Sequence, residues 1–144
     1  MSKVILSLGS NMGDRAMYLE KAQTRIEAEV GPVLRRTLIK ETKSWGYDSH
    51  DYLNQLLEVQ TEMPPAELLA CLKTIELHLD RTPESKTKPG TMDYQDRTID
   101  IDILYYDELH LNTPDLVIPH PRIRERAFLL ELLKELDEKK NEKK

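Results

Sequence analysis

Hydrophobic and polar positions alternate along this chain in two distinct rhythms. The apolar run Val4, Ile5, Leu6 and Leu8, ended by Gly9, Ser10 and Asn11, predicts a first strand and its exit turn. From Asp14, suited to cap a helix, apolar residues recur at near-helical spacing: Met17, Leu19, Ala22, Ile26 and Val30. Gly31 and Pro32 then break the pattern. Residues 33 to 42 and 52 to 61 read as a second and third strand, an antiparallel hairpin whose long tip is the polar stretch 43 to 51. Pro64 and Pro65 open a second helix with Leu68, Leu69, Leu72, Ile75 and Leu79 inward and Pro83 past its end.

Residues 82 to 97 show no periodicity, and at that length a loop is functional or disordered, so we read it as a mobile lid. Ile99, Ile101 and Ile103 alternate with Asp100 and Asp102 and define a fourth strand reaching Tyr106. The order β-α-β-β-α-β predicts an α+β fold, a ferredoxin-like sheet with helices on one face. A C-terminal helix is added from about Arg122, with Ile123, Ala127, Leu130, Leu133 and Leu136 inward. Residues 1 to 136 are expected to form a single domain and 137 to 144 a charged flexible tail.

Charge and composition narrow the function. A net charge of -5 argues against a nucleic-acid binder. No apolar run approaches the roughly 18 residues that span a bilayer, and the first strand does not resemble a signal peptide, so no membrane and a cytoplasmic location are expected. The single Cys71, expected at a buried helix position, leaves no intrachain disulfide or thiolate cluster. Nothing indicates an obligate protein partner.

The chemistry concentrates at Asp100 and Asp102. Residues two apart on a strand share a face, about 6.6 Å apart along its axis, so two carboxylates stand on one side of the sheet. Like charges so close raise a pKa unless cations neutralise them, and a pair of magnesium ions suits the site. A half-solvated strand gives the same alternation, and the pattern alone does not choose. Arg97, Arg122, Arg124 and Arg126 flank the acids, and guanidinium groups bind phosphate oxygens in pairs, so acids and bases together suggest a magnesium nucleotide. Arg122 and Arg124 read equally well as a solvated helix face. His120 either donates to a phosphate or braces a turn between two prolines. The stretch from Gly9 to Asp14 has neither the lysine of a P-loop nor the spacing of a dinucleotide turn.

The segment from Tyr94 to Leu104, with Arg97 ahead of Asp100 and Asp102, resembles the signature of the 6-hydroxymethyl-7,8-dihydropterin pyrophosphokinases. So do Leu8 to Asn11 with Gly13 and Asp14, the stretch Asp51 to Gln55, Ile75 and Glu76 with Arg81, and Ile118 to Pro121 followed by Arg126 to Leu130. The resemblance spans about residues 4 to 133. It implies transfer of diphosphate from ATP to a hydroxymethylpterin in folate synthesis. It also implies two magnesium ions on Asp100 and Asp102, with Arg97 catalytic alongside them. Glu76, Arg97, His120 and Arg126 would bind ATP. Thr42, Ser44, Trp45, Tyr52, Asn54, Tyr94 and Phe128 would bind the pterin. Core packing of the last helix is the other reading of Phe128. Many members have tryptophan where this chain has Tyr94 and a glycine-proline pair where it has Gln95 and Asp96. A non-catalytic module of the same fold and a metal-dependent phosphohydrolase using the same aspartates are the rival functions.

Overall fold

The structure is a computed structural model that describes residues 1 to 43, 51 to 80 and 98 to 142, with side chains as far as residue 138. The expected lid therefore lies outside the described residues. In chain order the elements are β1 (Ser2–Ser10), α1 (Arg15–Glu29), β2 (Val33–Arg36), β3 (Lys40–Thr42), β4 (Tyr52–Thr61), α2 (Pro65–Asp80), β5 (Asp100–Tyr106), β6 (Leu111–Asn112), β7 (Val117–Ile118) and α3 (Ala127–Glu142). A single 3-10 turn, Ile123–Glu125, precedes α3. The α+β class is as expected. The main sheet runs β2-β4-β1-β5, with β3 also paired to β4, and every pairing is antiparallel.

Local signals set the helix ends. Asp14 caps α1, its Oδ1 accepting from the Met17 N–H at 3.2 Å. Beyond α1, a Cβ at Gly31 would lie 1.8 Å from the Gln60 carbonyl oxygen, so only glycine admits the close approach to β4.

Two apolar layers sandwich the sheet. Val4, Leu6 and Leu8 of β1, Leu57 and Val59 of β4, and Ile101 and Ile103 of β5 join one buried cluster with α1 and α2. Tyr18, Leu19, Ala22 and Ile26 are the buried residues of α1, and Leu68, Leu72, Ile75 and Leu79 those of α2. Cys71 is only partly buried at the margin of this layer, not within it. Side chains alternate across a strand. The opposite face accordingly offers Leu56 and Leu104, with Ile5 and Tyr105 beside them, to Ile123, Leu129 and Leu132. Thus α1 and α2 share one face and α3 covers part of the other.

Two further expectations need correction. The second strand is not continuous over residues 33 to 42. Arg36 pairs with Leu57 and Lys40 with Asn54, so four steps on one side match three on the other. Thr37 absorbs the extra residue, its N–H donating to the Leu56 carbonyl and its Oγ1 accepting from the Leu56 N–H, both at 3.0 Å. A bulge of this kind bends the strand and divides it. The inward face of the last helix is also out of phase with expectation. Leu129, Leu132 and Leu136 are buried, Leu133 is half-buried, and Ala127 and Leu130 are exposed. The extended backbone of Arg126, φ -116° and ψ 100°, separates the 3-10 turn holding Ile123 from α3, so the periodicity restarts there. The helix runs to Glu142.

Candidate active site

On the α3 side, the ends of β3, β4, β1 and β5 bring polar residues into one row. Asp100 pairs with Gly9, Gly9 with Asn54, and Asn54 with Lys40. One step along, Asp102 pairs with Ser7. Directly opposed residues project from the same face, so the two carboxylates and the Asn54 amide share it, about 10 Å apart across the strand of Gly9. Ile101, between the aspartates, faces the first core. The predicted alternation is therefore realised, with both aspartates half-buried.

Gly9 is the open floor between the two halves of this row. A Cβ there would lie 3.4 Å from Tyr52 Cδ1 and 3.5 Å from Asn54 Oδ1. Asn54 is buried, and its Nδ2 donates to Thr42 Oγ1 at 2.8 Å and to the Lys40 carbonyl at 3.1 Å. Both amide protons are thereby spent, and Oδ1, an acceptor, is left beside the space above Gly9. Thr42, Tyr52 and Asn54 thus form one wall, suited to an N–H-bearing edge of a flat ring.

The opposite wall is acidic. Glu76, on α2, accepts from the Ile101 N–H at 2.6 Å. Burial pushes its carboxyl up to about 8, helped by the charges of Asp100 and Asp102 and by a hydrogen bond with Asp100, against the opposing Ile101 N–H. Three carboxyl groups are gathered there, and the charges of the two aspartates oppose ionisation of Glu76. A cation relieves that repulsion, and the donor set fits magnesium, which takes one or two carboxylates and completes its shell with water and phosphate oxygens. Among the described residues no three His, Cys, Asp or Glu side chains form a cage for an ion, which a structural zinc centre requires.

The basic side comes from the segment before α3. The His120 N–H donates to the Leu104 carbonyl at 3.0 Å, tying this segment to β5. Its Nδ1 accepts from the Arg122 N–H at 3.1 Å, which leaves the ring proton on Nε2. Burial first, then the charges of Arg126 and Arg122, hold the imidazole below its ordinary 6.5, with Asp100 pulling the other way. His120 is therefore a neutral Nε2–H donor near neutral pH: its Nδ1 braces the turn, as one of the two readings expects, and its ring proton stands on the other nitrogen. Phe128 is half-buried against the cluster of Leu56 and Leu104, and so keeps part of its surface outside the core.

The structure therefore gathers Asp100, Asp102 and Glu76, places His120 within electrostatic reach of Asp100 and Arg126, and sets Thr42, Tyr52 and Asn54 around Gly9. Ser44, Trp45, Tyr94 and Arg97 lie outside the described residues. Pattern reading missed Arg15, whose Nη1 bonds Glu41 and the Asp51 carbonyl across the site's rear. A contact between residues so distant in sequence leaves no local signature.

A model of the 7,8-dihydro-6-hydroxymethylpterin-pyrophosphokinase family matches residues 5 to 138. The 2-amino-4-hydroxy-6-hydroxymethyldihydropteridine pyrophosphokinase of Porphyromonas gingivalis is 38% identical over 131 residues, covering 90% of this chain and 86% of that protein. The enzyme of the same name from Bacillus subtilis is 38% identical over 133 residues, 91% of this chain and 75% of its own length. A bifunctional protein, FolKE, of Lactococcus lactis is 36% identical over 141 residues, which cover 96% of this chain but 38% of the relative. With the family match running across nearly the whole chain and onto the strands that build this row of residues, the chain belongs to the 7,8-dihydro-6-hydroxymethylpterin-pyrophosphokinase family.

Proposed function

We infer that the chain transfers the β,γ-diphosphate of ATP to the hydroxymethyl group of 6-hydroxymethyl-7,8-dihydropterin, giving the pterin diphosphate and AMP for folate synthesis. The single observation that carries this reading is the row on one sheet face, with carboxylates at one end and a ring-edge acceptor at the other. A hydrolase needs the first alone. The second, the Oδ1 of Asn54 locked by Thr42 and Lys40, calls for a ring-bearing substrate to receive the diphosphate.

The chemistry follows from positioning. The hydroxymethyl oxygen attacks the β-phosphorus in line, and AMP leaves from the opposite side. Asp100 and Asp102 would hold two magnesium ions, which neutralise phosphate charge and acidify a bound hydroxyl. His120 through Nε2–H, Arg126 and Arg97 donate to the nucleotide phosphates, and Glu76 lines the nucleotide side. Thr42, Tyr52 and Asn54 bind the pterin with Ser44 and Trp45, and Phe128 and Tyr94 stack on its faces. Residues 82 to 97 act as the lid that excludes water from this transfer.

The strand order supports a ferredoxin-like topology. If β2 and β3 count as one bulged strand, the order is second, third, first, fourth, all antiparallel. Among the described residues no helix is long and apolar enough to cross a membrane; the cytoplasmic location is part of the proposal.

The test is AMP formation from ATP and the pterin with magnesium. AMP dependent on both pterin and magnesium is the expected result. Phosphate release without pterin would replace this reading with hydrolysis, and no AMP from folded protein would end it.

A further inference from the structure

The wall formed by Thr42, Tyr52 and Asn54 stands on a short support. β3 is three residues long, and Thr42 opposite Tyr52 is its last pair with β4. Such a short strand holds weakly by its own ladder. Asn54 is oriented only as long as Lys40 and Thr42 stay in register, because both of its donors end on β3.

At this end a side chain from another element intervenes. Arg15 is the first residue of α1, directly after the capping Asp14. Its Nη1 donates to Glu41 Oε2 at 2.9 Å and to the Asp51 carbonyl oxygen at 2.6 Å. Glu41 precedes Thr42 on β3, and Asp51 precedes Tyr52 on β4. One cationic nitrogen therefore bridges the two strands beside their terminal pair. Glu41 is opposite Leu53, which packs on the α1 side, so the bridge lies behind the sheet from the wall it supports. An exposed ion pair alone contributes little. The charge-assisted bond to a main-chain carbonyl is the stronger part, because it fixes backbone without ordering a second long side chain.

We propose that Arg15 is a positioning residue for the pterin half of the site, setting the register of β3 on β4 and thereby the direction of the Asn54 acceptor. The inference rests on the pterin reading of Asn54. Arg15, behind the sheet from that wall, acts on one substrate only, because the carboxylates on β5 are held through β1 and α2 instead.

Steady-state kinetics of the full chain with both substrates varied test this, alongside direct pterin titration in the presence of a non-hydrolysable ATP analogue. Arg15→Ala is expected to raise the pterin KM and Kd about tenfold, the scale of one lost charge-assisted hydrogen bond, with KM for ATP moving less than about twofold. Arg15→Lys, which keeps a cation and its donors, should recover most of the pterin affinity. Glu41→Gln should raise the pterin KM about twofold, and it decides the matter if Arg15→Ala does not fold by circular dichroism. An unchanged pterin KM in these variants, or an equal rise for both substrates, overturns the inference. Asn54→Ala is the reference. If it leaves pterin binding intact, the pterin reading itself fails, whereas a loss there with none at Arg15 removes only the role of Arg15.

Discussion

The same three strands carry opposite chemistry at the two ends of one sheet face. Under α3, that face shows Ile5, Leu56 and Leu104. Two to four residues along, the same strands show Ser7 and Gly9, Asn54, and Asp102 and Asp100. On the reverse face Val4, Leu6, Leu8, Ile101 and Ile103 stay in one core, and the polar Gln55 and Ser10 at the same end are themselves buried. Burial of apolar area supplies most of the stability of a domain. One continuous core and half of a second leave the remaining half-face free to hold groups that oppose folding. Glu76, reaching the edge of that half-face from α2, has its carboxyl pushed up to about 8, by burial first.

Breaking the polar end should abolish activity and leave the fold standing. Asp100→Asn and Asp102→Asn are each expected to lower AMP formation by about 10³-fold, as loss of fixed transition-state electrostatics does. Melting temperatures equal to or above wild type should accompany that loss, since each change removes one of two like charges held on a single sheet face. A lower melting temperature in both would mean that these groups serve the fold instead. Breaking the apolar end should do the reverse. Leu132→Ala empties a buried position under α3 and should cost about 2–4 kcal/mol in urea unfolding, with kcat/KM near wild type on the folded fraction. Leu130→Ser, 47% exposed two residues earlier on the opposite side of α3, should stay within about 0.5 kcal/mol. Equal losses at both positions would contradict the observed phase of α3.

Between the two ends sits Gly9, and its replacement sharpens the boundary. Gly9→Ala would put a methyl group in van der Waals contact with Tyr52 and Asn54. Stability should change by less than about 1 kcal/mol, because the position is extended strand with room for a small side chain. The methyl would occupy the floor of the trough, so the pterin KM should rise about tenfold. A rise in the ATP KM alone would place the two substrates the other way round.

How much of this was legible depends on whether a feature repeats. The period-two pattern and its polar flanks located β4, whose observed bounds, Tyr52–Thr61, are those predicted. The same alternation places Asp100 and Asp102 on one face. Thr37 was not legible, because its bulge rests on bonds to Leu56 across the sheet. Neither was the phase of α3, which a single extended residue, Arg126, resets. Within the site, the residue types of Asn54 and Thr42 could be read from the family resemblance. Their mutual hydrogen bond could not, and it is what decides that Asn54 offers an acceptor. Arg15 was invisible because one of its partners is a carbonyl, which every residue possesses.

The smallest expected effect concerns His120, which stands where the two ends meet. Its backbone is fastened to Leu104, of the apolar end, while its ring feels Asp100, Arg122 and Arg126. Burial and the two arginines hold its folded pKa below the unfolded 6.5. The sign follows from proton counts: below 6.5 the unfolded chain takes up a proton that the folded ring refuses, so this residue's contribution to stability is lost as pH falls through that value. Two-dimensional NMR of the ring should show a midpoint below 6.5 in the free enzyme. Arg126→Ala should move it upward without reaching the ordinary value, because burial, the larger cause, remains. Binding of magnesium-ATP should also move it upward, since the phosphates offset the guanidinium charge at Arg126. A midpoint that responds to Arg126→Ala but not to the nucleotide would separate His120 from the phosphates and leave it as the brace between β5 and the segment before α3.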